Sequence, residues 1–288
     1  MRRLVGPCLA HAPAEGVNPT AVPGLWVYRQ SAPSEPSNAV YEPGIFLVTQ
    51  GRKQTRVGED VFHYDPDHYL VTSVPLPVVS RILEASEERP FLSLVVSIEL
   101  ELVREIMAHA GDVLAPSTSE RPERGLAACP VTDPIRDVAG RLLGLLDQPD
   151  DVAVLAPLHR RELLYHVLKG PRGGFLRAVA MGHGQQRAIA EVLTTMHADL
   201  TRAYTVAELA AMAGMSESVF YEAFRAVTAE SPLQYLKRLR LQEAHRQLTL
   251  GLNNVSGAAY GVGYNSLSQF SREFTRTFGA NPSAYLPR

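Results

Sequence analysis

Residues 216–224 read SESVFYEAF and residues 266–274 read SLSQFSREF, so one short amphipathic pattern is restated 266 − 216 = 50 positions later. The likeness runs on, with Pro232, Tyr235 and Leu236 recurring as Pro282, Tyr285 and Leu286. On a helix, Phe220 and Phe224 stand one turn apart on a single face, as do Phe270 and Phe274. Each pair demands burial against another element. The opposite face is left with Ser218, Tyr221, Glu222 and Arg225 in the first copy, and with Ser268, Gln269, Arg272 and Arg276 in the second.

The segment before each copy repeats as well. LAAMAGMS offers Ala210 and Gly214, and AAYGVGYNS offers Ala259 and Gly263. A small residue lets two helices approach, a glycine turns the chain in the left-handed region, and Ser216 or Ser266 opens the next helix. That is a helix-turn-helix, written twice in register with a long helix between. The exposed residues suit DNA: Arg reads guanine, Gln reads adenine, and serines at a helix start hold phosphate. Two such helices would enter successive major grooves, roughly 34 Å apart on one side of the duplex. A duplicated bundle with merely solvated faces is the alternative.

Charge agrees weakly. The net charge is −2, but from Gln185 onward there are 10 Lys/Arg against 8 Asp/Glu, or +2, which leaves 18 − 22 = −4 upstream. A chain of 288 residues at 45% hydrophobic and 20% charged implies two globular domains. The N-terminal MRRLVGPCLAHAPAEG lacks the apolar run of a secretory signal, and no stretch is apolar enough to cross a membrane, so a cytoplasmic chain is expected. Cys8 and Cys129, far apart, are expected as free thiols.

Upstream of the repeat, LWVYRQ, IFLVTQG, TRVGEDVFHY, HYLVTSV and FLSLVVSI predict short strands of a sandwich or barrel over 22–98. A helix follows in IELELVREIMAHAG. Residues 115–132 read as a Pro/Ser/Glu-rich loop, and IRDVAGRLLGLLDQP and LAPLHRRELLYHVLKG predict two further helices, with GPRGG as a turn. Their stripes Leu142, Leu143, Leu145, Leu146 and Leu163, Leu164, Val167, Leu168, with residues near 98–107, predict a dimer contact; the alternative is that they cover the sheet.

These motifs resemble the AraC/XylS family of bacterial transcription regulators. LAAMAGMSESVFYEAFRAVT, SPLQYLKRLRLQEAHRQL and AAYGVGYNSLSQFSREFTRTFGANPSAYL carry the likeness downstream. YEPGIFLVTQGRKQTRVGEDVFHYDPDHYLVTSVPLP and LAPLHRRELLYHVLKGPRGGFL extend it to the branch with its own N-terminal domain type. The resemblance implies an α+β multidomain chain: a cupin-like β-barrel for sensing (1–110), a helical linker and dimerisation region (111–183), and an all-α double helix-turn-helix domain (184–288). It places base contacts on Ser218, Tyr221 and Glu222, and on Leu267, Ser268, Gln269 and Arg272. Ser216, Ser266, Arg225 and Arg276 complete the DNA-facing set. The first copy departs from the pattern at Glu222, where a basic or neutral polar residue is usual, and at Ala229, where the second copy has Gly279. A carboxylate is repelled by phosphate unless it accepts from cytosine N4–H, so phosphate contact through Arg225 is the firmer expectation.

A cupin could be a metal enzyme. His63 and His68, with Glu59, Asp65 and Asp67 nearby, are the only candidates, and the turn between them breaks the spacing a metal needs. His159, His166, His183, His197 and His245 have no ligand spacing and are expected at the surface. No phosphate-binding or nucleophile motif is present, so no metal, no cofactor and no enzyme is expected. RKQTR (52–56) reads as a charged hairpin edge. Trp26, Tyr28, Tyr41, Phe46, Phe62 and Tyr64 are candidates to line a small-molecule pocket, against the alternative that they, like Tyr69, are core. The reading is a DNA-binding transcription regulator, homodimeric, with promoter DNA, a small-molecule effector and RNA polymerase as candidate partners and no membrane association. A cupin enzyme with an appended DNA module, and a ligand-independent DNA-binding protein, are the alternatives.

Overall fold

The computed structural model describes residues 1–114, 123–181 and 184–287. Residues 115–122 of the expected loop, His183 and Arg288 lie outside the described residues.

The N-terminal strands form two antiparallel sheets. The larger has the order β1 (Gly16–Pro19), β2 (Leu25–Gln30), β9 (Phe91–Ser97), β4 (Gly44–Gln50), β7 (His68–Thr72), β10 (Leu126–Pro130). The smaller runs β3 (Ser37–Tyr41), β8 (Leu76–Glu84), β5 (Arg52–Val57), β6 (Asp60–Tyr64). An isolated bridge between Asp65 and His68 lies at the β6–β7 turn that joins them. The expected barrel is therefore a pair of facing sheets and not one closed cylinder.

Three expectations shift. Leu76–Glu84, which the predicted strands leave out because Pro75 and Pro77 break the run, is a central strand: Pro77 lies opposite Val40 near the strand's start, where a missing N–H costs least. RKQTR is also interior, since β5 pairs with both β6 and β8, so it is no edge. And β10, drawn from the expected loop, joins β7 in the larger sheet, so 111–183 is not purely helical.

Alternation sorts the strands' side chains onto two faces. On the larger sheet Leu25, Val27, Leu47, Tyr69, Leu92 and Leu94 face α1 (Val5–Ala10), α2 (Leu100–Ala110), α3 (Asp133–Gly144) and α4 (Pro149–Lys169) in one apolar core. Leu142, Leu143, Leu145, Leu163, Leu164, Val167 and Leu168 are all buried there, and Leu146 packs against them half-buried. These stripes cover the sheet and are spent within the chain, which corrects the expected dimer contact. The large hydrophobic side chains that α4 leaves exposed are Val154 and Leu158, one turn apart. GPRGG leads directly into α5 (Gly173–Met181), a helix the two glycines conceal. A β-carbon on Gly173 would lie 1.9 Å from the Leu168 carbonyl oxygen, so only glycine lets α5 start there.

The rest is helical: α6 (Gly184–Ala198), α7 (Val206–Met212), α8 (Glu217–Thr228), α9 (Pro232–Thr249), α10 (Val255–Gly261) and α11 (Leu267–Phe278). Thr205 and Glu208 form the capping box their spacing predicts, with Thr205 N–H donating to Glu208 Oε2 at 2.8 Å and Glu208 N–H to Thr205 Oγ1 at 3.2 Å. Gly214 (φ 65°) and Gly263 (φ 88°) make the two left-handed turns. The two units differ in how they are held. Phe220, Phe224 and Tyr235 share one core with the inter-sheet residues Val48, Leu70 and Phe91. Phe270 and Phe274 sit in a separate small core with Leu241, Leu248, Val262 and Tyr264. Across α9, successive buried leucines thus serve different cores: Leu239 the first and Leu241 the second.

Candidate nucleic-acid interface

The duplicated helices match in length and in the spacing of their buried rings. Each runs 12 residues, and the paired Phe rings are 5.5 Å apart in α8 and 5.4 Å in α11. All four rings are fully buried. Opposite them, Ser216, Ser218, Tyr221, Glu222 and Arg225 are exposed on the first unit, and Ser266, Ser268, Gln269, Arg272 and Arg276 on the second. Leu267 is half-buried against the second core. Ser266 accepts the Gln269 N–H at 3.3 Å and caps α11, whereas Ser216 makes no cap bond and lies 3.4 Å from the Ser218 hydroxyl.

Among the described residues, Arg225, Arg272 and Arg276 have no carboxylate partner, while Arg238, Arg246 and Arg187 are each paired with a glutamate. Unpaired guanidiniums on both helices are the groups that an incoming polyanion would find free. Glu273 is turned to structure: it accepts from Tyr264 Oη at 2.9 Å and from Gln269 Nε2 at 3.3 Å. Glu222 has no partner of this kind.

The C-terminal end of α8 is clasped by the N-terminal domain. Arg124 Nη1 donates to the carbonyls of Arg225 (2.9 Å) and Ala226 (2.7 Å), while its Nε and Nη2 hold Asp60 of β6 at 2.7 and 2.6 Å. Gly125 N–H donates to the Val227 carbonyl at 3.0 Å. Two carbonyls that the helix end leaves orphaned, those of Ala226 and Val227, are thus taken by one short segment, which also adds a second donor to the Arg225 carbonyl already bonded by the Ala229 N–H at 2.8 Å. Ala229 completes the contact in a left-handed conformation (φ 64°) that costs alanine roughly 1 kcal/mol. A β-carbon on Gly58 would lie 2.6 Å from the Ala229 methyl, so that methyl fills the space Gly58 leaves. Tyr235 Oη donates to the Pro75 carbonyl at 2.8 Å. The second unit meets the N-terminal domain through Asn38 Nδ2, which donates to the Thr277 carbonyl at 3.0 Å.

Of the six aromatic candidates, four converge between the sheets. Tyr41 stacks on Phe46 at 4.8 Å, its hydroxyl lies 3.1 Å from that of Tyr64, and Thr55 Oγ1 lies 3.2 Å from Tyr64 Oη. Tyr28 packs edge-on against Phe91. Lys53 Nζ stands 4.9 Å from the Tyr28 ring centre and 5.5 Å from that of Tyr41. Burial pushes the Tyr41 phenol up, but the Lys53 ammonium and the surrounding hydroxyls outweigh it and bring it down to about 8. Burial drives the Tyr64 phenol well above its ordinary value. Trp26, half-buried, shares the Tyr28 face of β2. Phe62 instead lines a cavity beside β10. Lys53 was hidden inside RKQTR, although its spacing to the inward Thr55 marks it as inward-facing; Arg124 lies within the expected loop and carries no sequence signal.

His63 is exposed on β6 and His68 sits 3.1 Å from Asp65 Oδ1. Among the described residues no group of three or more His, Cys, Asp or Glu is placed to hold a metal ion, and no helix is long and apolar enough to cross a membrane. Cys8 and Cys129 are free and buried. His197 and His245, expected at the surface, are largely and half buried respectively, because α6 and α9 turn them inward toward Tyr235 and Phe278.

Comparison with known proteins agrees with this geometry. Residues 21–175 match the model of the AraC-type transcriptional regulator N-terminus, and residues 209–288 match a helix-turn-helix domain. The chain is 40% identical over 97 residues to an AraC-like transcription regulator of Streptomyces antibioticus, covering 34% of this chain and 32% of that one. It is 35% identical over 138 residues to another from Streptomyces lividans, covering 47% and 43%. It therefore spans between a third and a half of the length of the curated relatives it matches. In three dimensions it is similar to ToxT of Vibrio cholerae, with a TM-score of 0.60 at 14% identity over 94% of this chain and 98% of that one. A second ToxT structure, with an unsaturated fatty acid bound, gives 0.57 at 14% identity over 91% and 93%.

Proposed function

We propose that this chain, which belongs to the AraC-type transcriptional regulators, binds double-stranded DNA at promoters through both helix-turn-helix units and does so under control of a small molecule held by its N-terminal half. The observation that carries the reading is the duplicated helix: the same buried Phe pair, and on the opposite face arginines with no acid partner. The DNA-binding part is taken as 184–288, the sensing part as 1–110 with β10 added, and 111–183 as the joining region. Between the units, α9 has 18 residues and so spans about 27 Å, a separation compatible with successive grooves. The chain acts in the cytoplasm as a regulator and not as an enzyme, with RNA polymerase as its partner at the promoter. The fatty acid bound to ToxT supports an organic acid as the kind of effector. The runner-up is ligand-independent binding, favoured by the full burial of Tyr64 between the sheets.

Arg272 tests the DNA contact. It lies one turn after Ser268, opposite Phe270 and Phe274, so it points into the groove. Arg272→Ala is expected to lose about 1–3 kcal/mol and relax preference at one base pair. Arg225, near the end of α8, faces phosphate; Arg225→Ala should weaken all sequences alike and lower the salt slope by about 1. Glu222→Gln should tighten binding generally if the carboxylate faces phosphate, and loosen it at one position if it reads cytosine. Gel-shift titrations at two salt concentrations, on promoter and scrambled DNA, separate these outcomes. An Arg272→Ala protein with unchanged affinity and preference would remove α11 from the groove.

Dimerisation is proposed through the exposed Val154 and Leu158 of α4, beside Tyr165 and Arg161. Light scattering at micromolar concentration should give a dimer for the native chain and a monomer for Val154→Glu/Leu158→Glu. A native chain that stays monomeric with and without DNA overturns this.

A further inference from the structure

Beside the clasp on α8 lies a cavity of about 280 Å³ that neither DNA-facing helix uses. Phe62, Leu126, Phe175 and Leu176 give it an apolar wall, and Arg124 and Arg172 line it together with Glu123, which an incoming carboxylate has to displace from Arg172. The two guanidiniums are unequal. Arg124 is engaged on three sides, whereas Arg172 has one acid partner, Glu123 at 3.5 Å, and is more than half exposed. An apolar slot closed by two arginines selects an apolar body carrying one carboxylate, because guanidinium forks match carboxylate geometry and the slot rejects a second charge. The volume lies just below the usual range of ligand pockets, about 300–1,000 Å³, and suits a small body of roughly ten non-hydrogen atoms.

We propose that this cavity is an effector site for small aryl- or branched-alkyl carboxylates, and that Arg124 reports its occupancy to α8. The proposal deepens the regulator reading and rests on it for its consequence, though not for binding itself. A carboxylate seated between Arg172 and Arg124 competes with Asp60 and with the Arg225 and Ala226 carbonyls for one guanidinium. Drawing Arg124 toward the ligand leaves the Ala226 carbonyl without its donor, leaves the Arg225 carbonyl with the Ala229 N–H alone, and loosens Gly125 from Val227. The C-terminal end of α8 is then released from β6 while the shared core keeps the rest of the first unit in place, and the second unit, with its own core, is untouched. Differential affinity for the clasped and released states is what such a ligand needs in order to shift their populations.

Calorimetric titration of the DNA-free full chain with 3-phenylpropanoate, 4-methylpentanoate and indole-3-acetate, each beside its carboxamide, tests the site. At least one acid should bind, with its amide at least tenfold weaker. Arg124→Gln should weaken the acid at least tenfold, and Leu176→Trp, which fills the slot without touching the clasp, should abolish binding in a chain whose circular dichroism is native. Bound acid should also speed amide exchange at Gly125 and across 225–229, leaving 267–278 unchanged. If none of the three acids binds, or if binding is indifferent to both substitutions, the site is refuted; binding without the exchange change refutes the coupling. Gel shifts without ligand read the DNA-binding function separately, so a chain that takes the acid but shifts no DNA would sink the regulator reading and leave the pocket standing.

Discussion

Phe274→Ala is expected to unfold the second helix-turn-helix unit and nothing else. Removing a fully buried Phe costs about 3–5 kcal/mol, the sum of lost transfer energy and the cavity left behind. The core around Phe274 is small, and its connections to the rest run through α9, the Asn38–Thr277 bond and the close approach of Gly263 to Leu200 and Thr201. A unit of that size has little stability to lose. Phe224→Ala deletes the same atoms from a core continuous with the space between the sheets. Its cost should therefore fall on the main transition and lower the midpoint for sheet and first unit together. Thermal melts followed by circular dichroism, with segment-resolved amide exchange, distinguish the two. The Phe274→Ala chain should lose protection over 255–278 while 44–50 and 217–228 keep theirs. Equal loss of protection in the larger sheet would show that the two cores are energetically one.

The asymmetry between the units was invisible in the sequence, and the reason is physical. Helical spacing and capping chemistry are local, so the two Phe pairs, the Thr205–Glu208 box and the glycine turns could all be read directly. The choice of burial partner is not local. Leu142 and Leu163 look the same whether they meet a sheet or a second chain, and only the fold shows that β2, β4 and β9 use them. Pro77 looks like punctuation until Val40 is seen opposite it. Ala229 reads as a departure from the glycine its partner copy has at Gly279. It is explained once Gly58 is found against its methyl, which trades backbone strain for a contact between domains. Arg124 clasps the end of α8 and had no signal, because an arginine within a polar loop matches no pattern.

Acid should weaken the folded chain through His197. It sits in the last turn of α6, where the helix dipole favours a charged imidazole by about 0.3–1 kcal/mol. Burial opposes this and wins: it pulls the imidazole down to about 4, and Nε2 is buried without a hydrogen-bond partner among the described residues. The folded value is below that of the unfolded chain, so the folded state binds the proton less well. Stability is full above about 6.5 and drains as pH falls toward 4, by about 3 kcal/mol. Glu42 lines the same cleft and works in the opposite sense, because burial raises its carboxyl. Its folded form holds a proton above 4.5, so falling pH relieves a cost there and offsets part of the loss. His245, also lowered by burial and stacked on Phe278 at 4.5 Å, adds a smaller loss confined to the second unit. Denaturant midpoints measured from pH 7.5 to 4.5 should fall steeply for the native chain and much less for His197→Gln, with Glu42→Gln steepening the native slope. A His197 resonance titrating near 6.5, or a His197→Gln chain with the native slope, would show that the imidazole reaches water and that the acid sensitivity lies elsewhere.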